Sequence, residues 1–351
     1  GTIYFIARDG YLPFKAYEIM SKAYPGAPKS SYIYASRRSL IPYVLLTNKY
    51  GLDSFISLHA HSPKSILKLF QEVLRDDLNL KQFEKEGIIL SKNFSSSYEF
   101  KKFIDIFIQE GIDLQKTERY IELLKKYFSV IQENDATFDL GYSARMQTVF
   151  VDIIGRRCDA YFVHTSTESA KIYSRRYGFE VNSFYELKPL ISGILREHFF
   201  AELGPSCIGY EQNENGDIQP KFEQFHKHPI NELMINTLQQ ACLDFATDMV
   251  NVFNDYIPKL TFRNQEVSLP FESYIHYSKP CDRTIFMCSY SDDIVHGGKN
   301  KNNILSWWNA ELIKVASRDP VQYSMNPRSY SDFLFGHSKL KKAIFYGLFD
   351  R

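Results

Sequence analysis

The sequence predicts an α/β protein of the doubly wound, Rossmann-like kind, with a mainly parallel sheet, a helical insertion and a large helical C-terminal region. Three observations carry this. Short runs of β-branched and aromatic residues alternate with spans whose apolar residues recur at helical spacing, the signature of parallel strands joined by crossover helices. Each such run closes on a polar turn bearing Gly, Ser or Asp, where a strand hands over to a helix. Between residues 64 and 132 the alternation gives way to helical pattern alone, as an insertion between two parts of a sheet would.

In chain order, Thr2-Ile3-Tyr4-Phe5-Ile6 reads as a buried strand closed by Asp9-Gly10. Leu12, Ala16, Ile19, Met20 and Ala23 repeat at helical spacing, Pro13 suits a first turn, and Pro25-Gly26 ends the helix. Ser31-Tyr32-Ile33-Tyr34-Ala35 is a second strand running into Ser36-Arg37-Arg38. Residues 66–70, 100–108 and 119–131 are amphipathic, with Lys and Glu on their outer faces. Thr137-Phe138 enters the turn Asp139-Leu140-Gly141-Tyr142-Ser143, and a helix follows through Met146, Val149, Phe150, Ile153 and Ile154. Ala160-Tyr161-Phe162-Val163 is a further strand, and residues 168–176 a further helix ended by Gly178. Beyond about Tyr185 the pattern is helical (187–200, 232–256, 304–316) with aromatic loops, and residues 212–217 read as a plain turn. These elements place an α/β core at residues 1–48 and 134–183, a helical insertion at 49–133 and an aromatic-rich helical region at 184–351.

Composition narrows the function. At about 150 residues per domain, 351 residues anticipate two packed regions or one domain with large insertions. The 42 Lys and Arg nearly cancel the 41 Asp and Glu, so no bulk field draws the chain to nucleic acid or acidic lipid, and an anion site must be local. Five cysteines at wide spacing, with no Cys-x-x-Cys pair, argue against a disulfide framework or a structural zinc site. No basic leader, cleavage site or run of about 18 apolar residues is present, which reads as a soluble protein of a reducing compartment. The expected location is the cytoplasm, either free or peripheral at the inner face of the membrane. The strand-like start at Thr2 also raises the expectation that the chain is a piece of a longer polypeptide. Aromatic residues, at 15%, are the unusual component.

In an open parallel sheet, ligands bind outside the carboxyl ends of the strands, where helix N-termini present free N–H groups. Three polar clusters fall there: Arg8-Asp9-Gly10, Ser36-Arg37-Arg38, and Asp139 through Gln147, which contains Gly141, Tyr142, Ser143, Ala144 and Arg145. Arginine forks match phosphate oxygens in pairs, glycine admits backbone N–H groups, and carboxylates hold sugar hydroxyls or Mg²⁺. The set suits a polyanion carrying hydroxyl groups. Each piece also has a structural reading: Arg-Asp-Gly as a turn, Arg37-Arg38 as a solvated strand end, Ser143 as a helix cap.

Two families share parts of this pattern. Ala7-Arg8-Asp9-Gly10 and Ser36 resemble the first two motifs of haloacid dehalogenase-like phosphatases, except that Ala7 stands where those enzymes have their nucleophilic aspartate. Ile6-Ala7-Arg8-Asp9-Gly10 resembles the pyrophosphate loop of type I phosphoribosyltransferases, and Arg37-Arg38 their second diphosphate cluster. Asp139 and Ser143 resemble the second acid and the phosphate-binding hydroxyl of their donor loop; Phe138 replaces the first acid and Ala144 the glycine. Over most of the chain, residues 4–11, 34–38, 138–143 and 205–210 look like segments of large bacterial polysaccharide-assembly proteins, commonly labelled as relatives of the dehalogenase superfamily. That resemblance implies a ribofuranosyltransferase module of capsule or O-antigen synthesis.

The activity such a module implies is a Mg²⁺-assisted transfer of 5-phosphoribose from phosphoribosyl pyrophosphate to an oligosaccharide or glycolipid acceptor. A phosphatase and a second glycosyltransferase domain would act in the same polypeptide or pathway. Arg8, Arg37 and Arg38 would hold the diphosphate, Ser143 with the N–H groups of residues 141–145 the 5-phosphate, and Asp139 the ribose hydroxyls. Asp9 is the acceptor-facing carboxylate, as general base or as ligand to Mg²⁺-bound water. Glu202 and Ser206 are expected on the acceptor side, with His296 and Lys299 of a glycine-rich loop. The alternatives are a dehalogenase-type phosphatase and a catalytically silent interaction module. The pairs His59/His61 and His226/His228 lack the carboxylate company of a metal site.

Overall fold

The computed structural model describes residues 1–47, 52, 55–56, 61–165, 167–185, 192–225, 229–278, 283–288, 290–291, 302–306 and 308–310. The first half builds β1 (Thr2–Ile6), α1 (Tyr11–Met20), β2 (Lys29–Ile33), α2 (Arg37–Thr47), α3 (Pro63–Leu69), α4 (Leu80–Lys85), α5 (Ser97–Ile106) and α6 (Leu114–Phe128). Then come β3 (Ala136–Tyr142), α7 (Arg145–Ile154), β4 (Asp159–Thr165), α8 (Thr167–Tyr177), β5 (Val181–Tyr185) and α9 (Ser192–Phe200). The remainder forms the hairpin β6 (Cys207–Gln212) and β7 (Ile218–Phe222), α10 (Pro229–Phe253), α11 (Asn264–Tyr277) and the short pair β8 (Tyr290–Ser291) and β9 (Asn302–Asn303).

Five strands form one sheet in the order β2-β1-β3-β4-β5, every pair parallel. Because side chains alternate across a strand, the residues of β1 and β3 show which helix covers which face. Phe5 packs on Phe14 and Tyr17 of α1 and on Phe138. The next residue back, Thr137, instead hydrogen-bonds to Gln147 of α7, so α1 and α7 lie on opposite faces. The α1 face is extended by α9 and α10, while α2, α6 and α8 contact or flank α7 on the other. This is the doubly wound α/β architecture the alternating pattern predicts.

The core runs from this sheet into the helices between β2 and β3. Amphipathic α6 buries Tyr120, Leu124 and Phe128, and the Phe128 ring meets Phe150 of α7 at 5.1 Å. Among the described residues the elements there are helices, joined by loops and one isolated bridge between Leu74 and Ile112, and Phe70, Phe83, Phe94, Phe103 and Phe107 fill the interior.

Four elements differ from the sequence reading. Residues 139–142, read as a turn, continue β3, because they pair with β4 as far as Tyr142 opposite Thr165. The second strand starts two residues earlier and ends at Ile33. Val181–Tyr185 adds a fifth strand next to β4. The stretch read as a plain turn inside a helical region closes the β6–β7 hairpin, with Gly216 at φ +86°. Asn215-Gly216 is the signal that marks it, since a two-residue Asn-Gly step favours hairpin turns. Among the described residues no helix is long and apolar enough to cross a membrane.

Candidate functional site at the switch point of the sheet

The order β2-β1-β3 reverses direction at β1, and such a reversal opens a crevice at the carboxyl ends of the two central strands. Here the β1–β3 ladder stops at Phe5 opposite Phe138. Asp139 is the first residue of β3 beyond it, and the loop after β1 supplies Arg8 and Asp9. The Ala7–Arg8 peptide bond is cis. Gly10 follows so tightly that a β-carbon would lie 2.6 Å from the Ile6 carbonyl oxygen, and its own N–H donates to that oxygen at 2.8 Å. The glycine therefore folds the loop back onto β1 and starts α1.

Asp139 is the electrostatic centre. Its carboxyl is held up to about 7, first because burial disfavours the charged form and second because the Asp9 carboxylate repels it. The Leu140 N–H, which donates to Oδ1 at 2.7 Å, and the Arg37 guanidinium pull the other way without cancelling this. Asp9 follows β1, Asp139 lies within β3 just past the end of its pairing with β1, and Arg37 opens α2; the three meet electrostatically.

The loop after Asp139 approaches β4 closely. Gly141 has φ +120°, and a β-carbon there would sit 1.9 Å from the His164 carbonyl oxygen. Ala144 has φ 58° and stands as N-cap of the ten-residue helix α7, with no side-chain oxygen of its own to cap it. The left-handed conformation that a glycine would supply is thereby kept, with alanine in it. Ser143 is half-buried beside it, Arg145 is exposed on the first turn, and Tyr142 continues β3 opposite Thr165.

Other expected binders are engaged in the framework. Ser36 caps α2: its Oγ accepts from the Ser39 N–H at 3.0 Å and donates to the Cys207 carbonyl at 2.6 Å, while Ser39 Oγ accepts from the Ser36 N–H. Arg38 is paired at 2.7 Å with Glu223, inside the contact between α2 and the hairpin. Ser206 serves through its backbone, giving its N–H to Glu223 and taking that residue's N–H. Gln147 bridges Thr137 and the Cys158 carbonyl in the core. Ser36 and Arg38 are held by bonds to the hairpin and the residue after it, whereas the bonds of Ser206 involve its backbone alone.

Arg8 remains at the crevice but is tethered, one guanidinium nitrogen donating to the Gly204 carbonyl at 3.1 Å, while the Glu202 N–H donates to its carbonyl at 3.0 Å. Residues 202–204 thereby lie along the β1 loop. His198 of α9, absent from the sequence reading, is near enough to Arg8 to feel its charge. Burial pushes its imidazole down to about 4, so it is neutral at pH 7.

His61 is a buried loop residue whose Nδ1 lies 3.1 Å from Ser65 Oγ, and it has no metal company. His59, His226, His228, His296 and Lys299 lie outside the described residues. Among the described residues no three His, Cys, Asp or Glu side chains gather as a metal site. No family model matches the chain, and no curated protein matches it.

Proposed function

We propose that the chain is an enzyme that transfers 5-phosphoribose from phosphoribosyl pyrophosphate to a sugar hydroxyl of a growing bacterial surface polysaccharide. Pyrophosphate leaves and the anomeric centre inverts to a β-ribofuranoside. One observation carries the reading: Asp9, Asp139 and Arg37 meet electrostatically at the switch point of a parallel sheet, where β3 leads into α7. Helix N–H groups and an arginine suit phosphates, and paired carboxylates suit a ribose.

In the transfer, the acceptor oxygen bonds to C1 as the C1–O bond to pyrophosphate breaks, and negative charge grows on the leaving group. Arg37, together with the guanidinium N–H groups of Arg8 not bonded to Gly204, meets that charge. The N–H groups opening α7, with Ser143, hold the 5-phosphate. Asp139 hydrogen-bonds the ribose hydroxyls, a task its near-neutral carboxyl performs as donor or acceptor. Asp9 takes the acceptor's proton as general base. Two mutually repelling carboxylates fit Mg²⁺, an ion that takes one or two protein carboxylates and draws its other ligands from phosphates and water. Asp9 and Asp139 would hold it, and it would supply charge neutralisation on the diphosphate.

The test is to incubate the protein with phosphoribosyl pyrophosphate, Mg²⁺ and lipid-linked glycan acceptors, following pyrophosphate release and the mass added to the glycan. Asp9→Asn and Asp139→Asn should lose turnover at least 100-fold, the scale of a general base or a lost charge partner. If the donor neither stabilises the protein nor yields pyrophosphate, the proposal fails. Phosphoester hydrolysis is the competing reading. It lacks a nucleophile, because the buried methyl of Ala7 occupies that position. Hydrolysis of p-nitrophenyl phosphate that disappears in Asp9→Ala would favour it.

A further inference from the structure

We infer that Tyr32, Tyr34 and Glu202 form the acceptor side of the crevice, a hydroxyl-reading wall for a neutral saccharide. The inference rests on the transferase reading for the direction in which the two substrates approach.

The wall is built from two elements pinned together. Tyr32 Oη donates to Glu202 Oε2 at 3.0 Å and Tyr34 Oη to Oε1 at 3.2 Å, so the carboxylate takes one phenol on each oxygen. A carboxylate offers about four lone-pair positions, which leaves about two for a ligand's hydroxyls. Both phenols keep their protons at neutral pH: burial and the Glu202 charge raise Tyr32 well above its ordinary value, and Tyr34 is pushed up to about 12. The rings continue outward as one row. Tyr11 meets Tyr32 edge-on at 6.1 Å, Phe14 stacks on Tyr32 at 5.5 Å, Tyr32 meets Tyr34 at 5.2 Å, and Tyr34 meets Phe222 at 5.0 Å. Aromatic surface with a few placed polar groups is what an oriented, uncharged ligand needs.

Position ties this wall to the chemistry. The Asp9 carboxylate acts electrostatically on Asp139 from β3 and on Tyr32 from β2. The Glu202 N–H also donates to the Arg8 carbonyl, fixing the wall to the loop that carries Asp9. Apart from Glu202, neither the strand-end motifs nor the spacing of charges singles out these residues, because Tyr32 and Tyr34 read as ordinary strand aromatics.

The experiment uses the full chain with Mg²⁺ and phosphoribosyl pyrophosphate. Its probes are the methyl glycosides of glucose, galactose, mannose and N-acetylglucosamine, read by saturation-transfer NMR. At least one glycoside should bind at millimolar concentration, and Tyr34→Phe and Glu202→Gln should weaken it at least tenfold. Donor affinity, measured by calorimetry, should stay within threefold. Melting curves check folding; if Glu202→Gln does not fold, Tyr32→Phe and Tyr34→Phe decide, since both keep their rings. Donor binding with no glycoside bound, or glycoside binding indifferent to all three substitutions, overturns the wall and leaves the transferase reading standing. Absence of donor binding overturns the transferase reading itself.

Discussion

Gly141 and Asp139 sit two residues apart and are constrained by different forces. At Gly141 the constraint is steric: φ +120° is closed to most side chains, and a β-carbon would strike the His164 carbonyl oxygen at 1.9 Å. Gly141→Ala should cost about 3 kcal/mol or more in urea unfolding, combining backbone strain with displacement of β4. At Asp139 the constraint is electrostatic. A carboxyl held at about 7 when folded and near 3.8 when unfolded keeps its proton longer in the folded state. The resulting stability is fully present below pH 4 and is lost as pH rises to about 7, a difference of at most about 4 kcal/mol. Asp139→Asn should remove that loss, gaining on the wild type at pH 8 relative to pH 4; equal pH profiles for the two proteins would contradict the environment described for Asp139. Of the pair, the glycine's role is partly legible, since Gly between a strand and a helix signals a turn. The aspartate's proton affinity is not, because it depends first on burial in the folded chain and then on Asp9, 130 positions away.

Helix starts decide which charges are usable. Ser36 and Ser39 cap α2 reciprocally, each hydroxyl taking the other's N–H, whereas the N-cap of α7 is Ala144, which has no capping oxygen. The two arginines that open α2 diverge accordingly. Arg38 joins Glu223 in a largely buried pair, 11% and 22% exposed, while Arg37 is within electrostatic reach of Asp139. Arg38→Ala should therefore lower stability by about 2 kcal/mol, the partly exposed version of a broken buried pair, and leave the donor affinity nearly unchanged. Arg37→Gln should do the reverse, weakening the donor about tenfold or more with little change in unfolding. Calorimetry with phosphoribosyl pyrophosphate beside denaturant melts separates the two outcomes. Adjacent identical residues in a sequence carry no mark of this division. It arises because the hairpin, formed some 170 positions later, covers one side of α2 and not the other.

The whole molecule sets the carboxyl ends of β1 and β3 beside a row of aromatic rings from α1, β2 and the end of β7, pinned by Glu202. With a net charge of +1, no bulk field attracts anions, and an anion site has to be local. Saturating donor should stabilise the chain by roughly 3 kcal/mol at a hundredfold excess over Kd. Single-stranded DNA at the same phosphate concentration should give no shift, and an equal shift from DNA would point to a general polyanion surface instead. The residues themselves determine the alternation of strand and helix, the strand-end placement of Arg8-Asp9-Gly10, Arg37 and Asp139, and the two-layer wrapping of the sheet. Those are local or periodic properties, set by side-chain hydrophobicity and backbone preference over short stretches. The tertiary structure alone decides strand order, and with it the pairing of Asp9 with Asp139 across the β1–β3 gap. It also decides the diversion of Ser36 and Arg38 to the hairpin and the seating of Glu202 under two tyrosines. Each of these depends on contacts between distant segments, whose energies come from burial and charge proximity that no single stretch of chain contains.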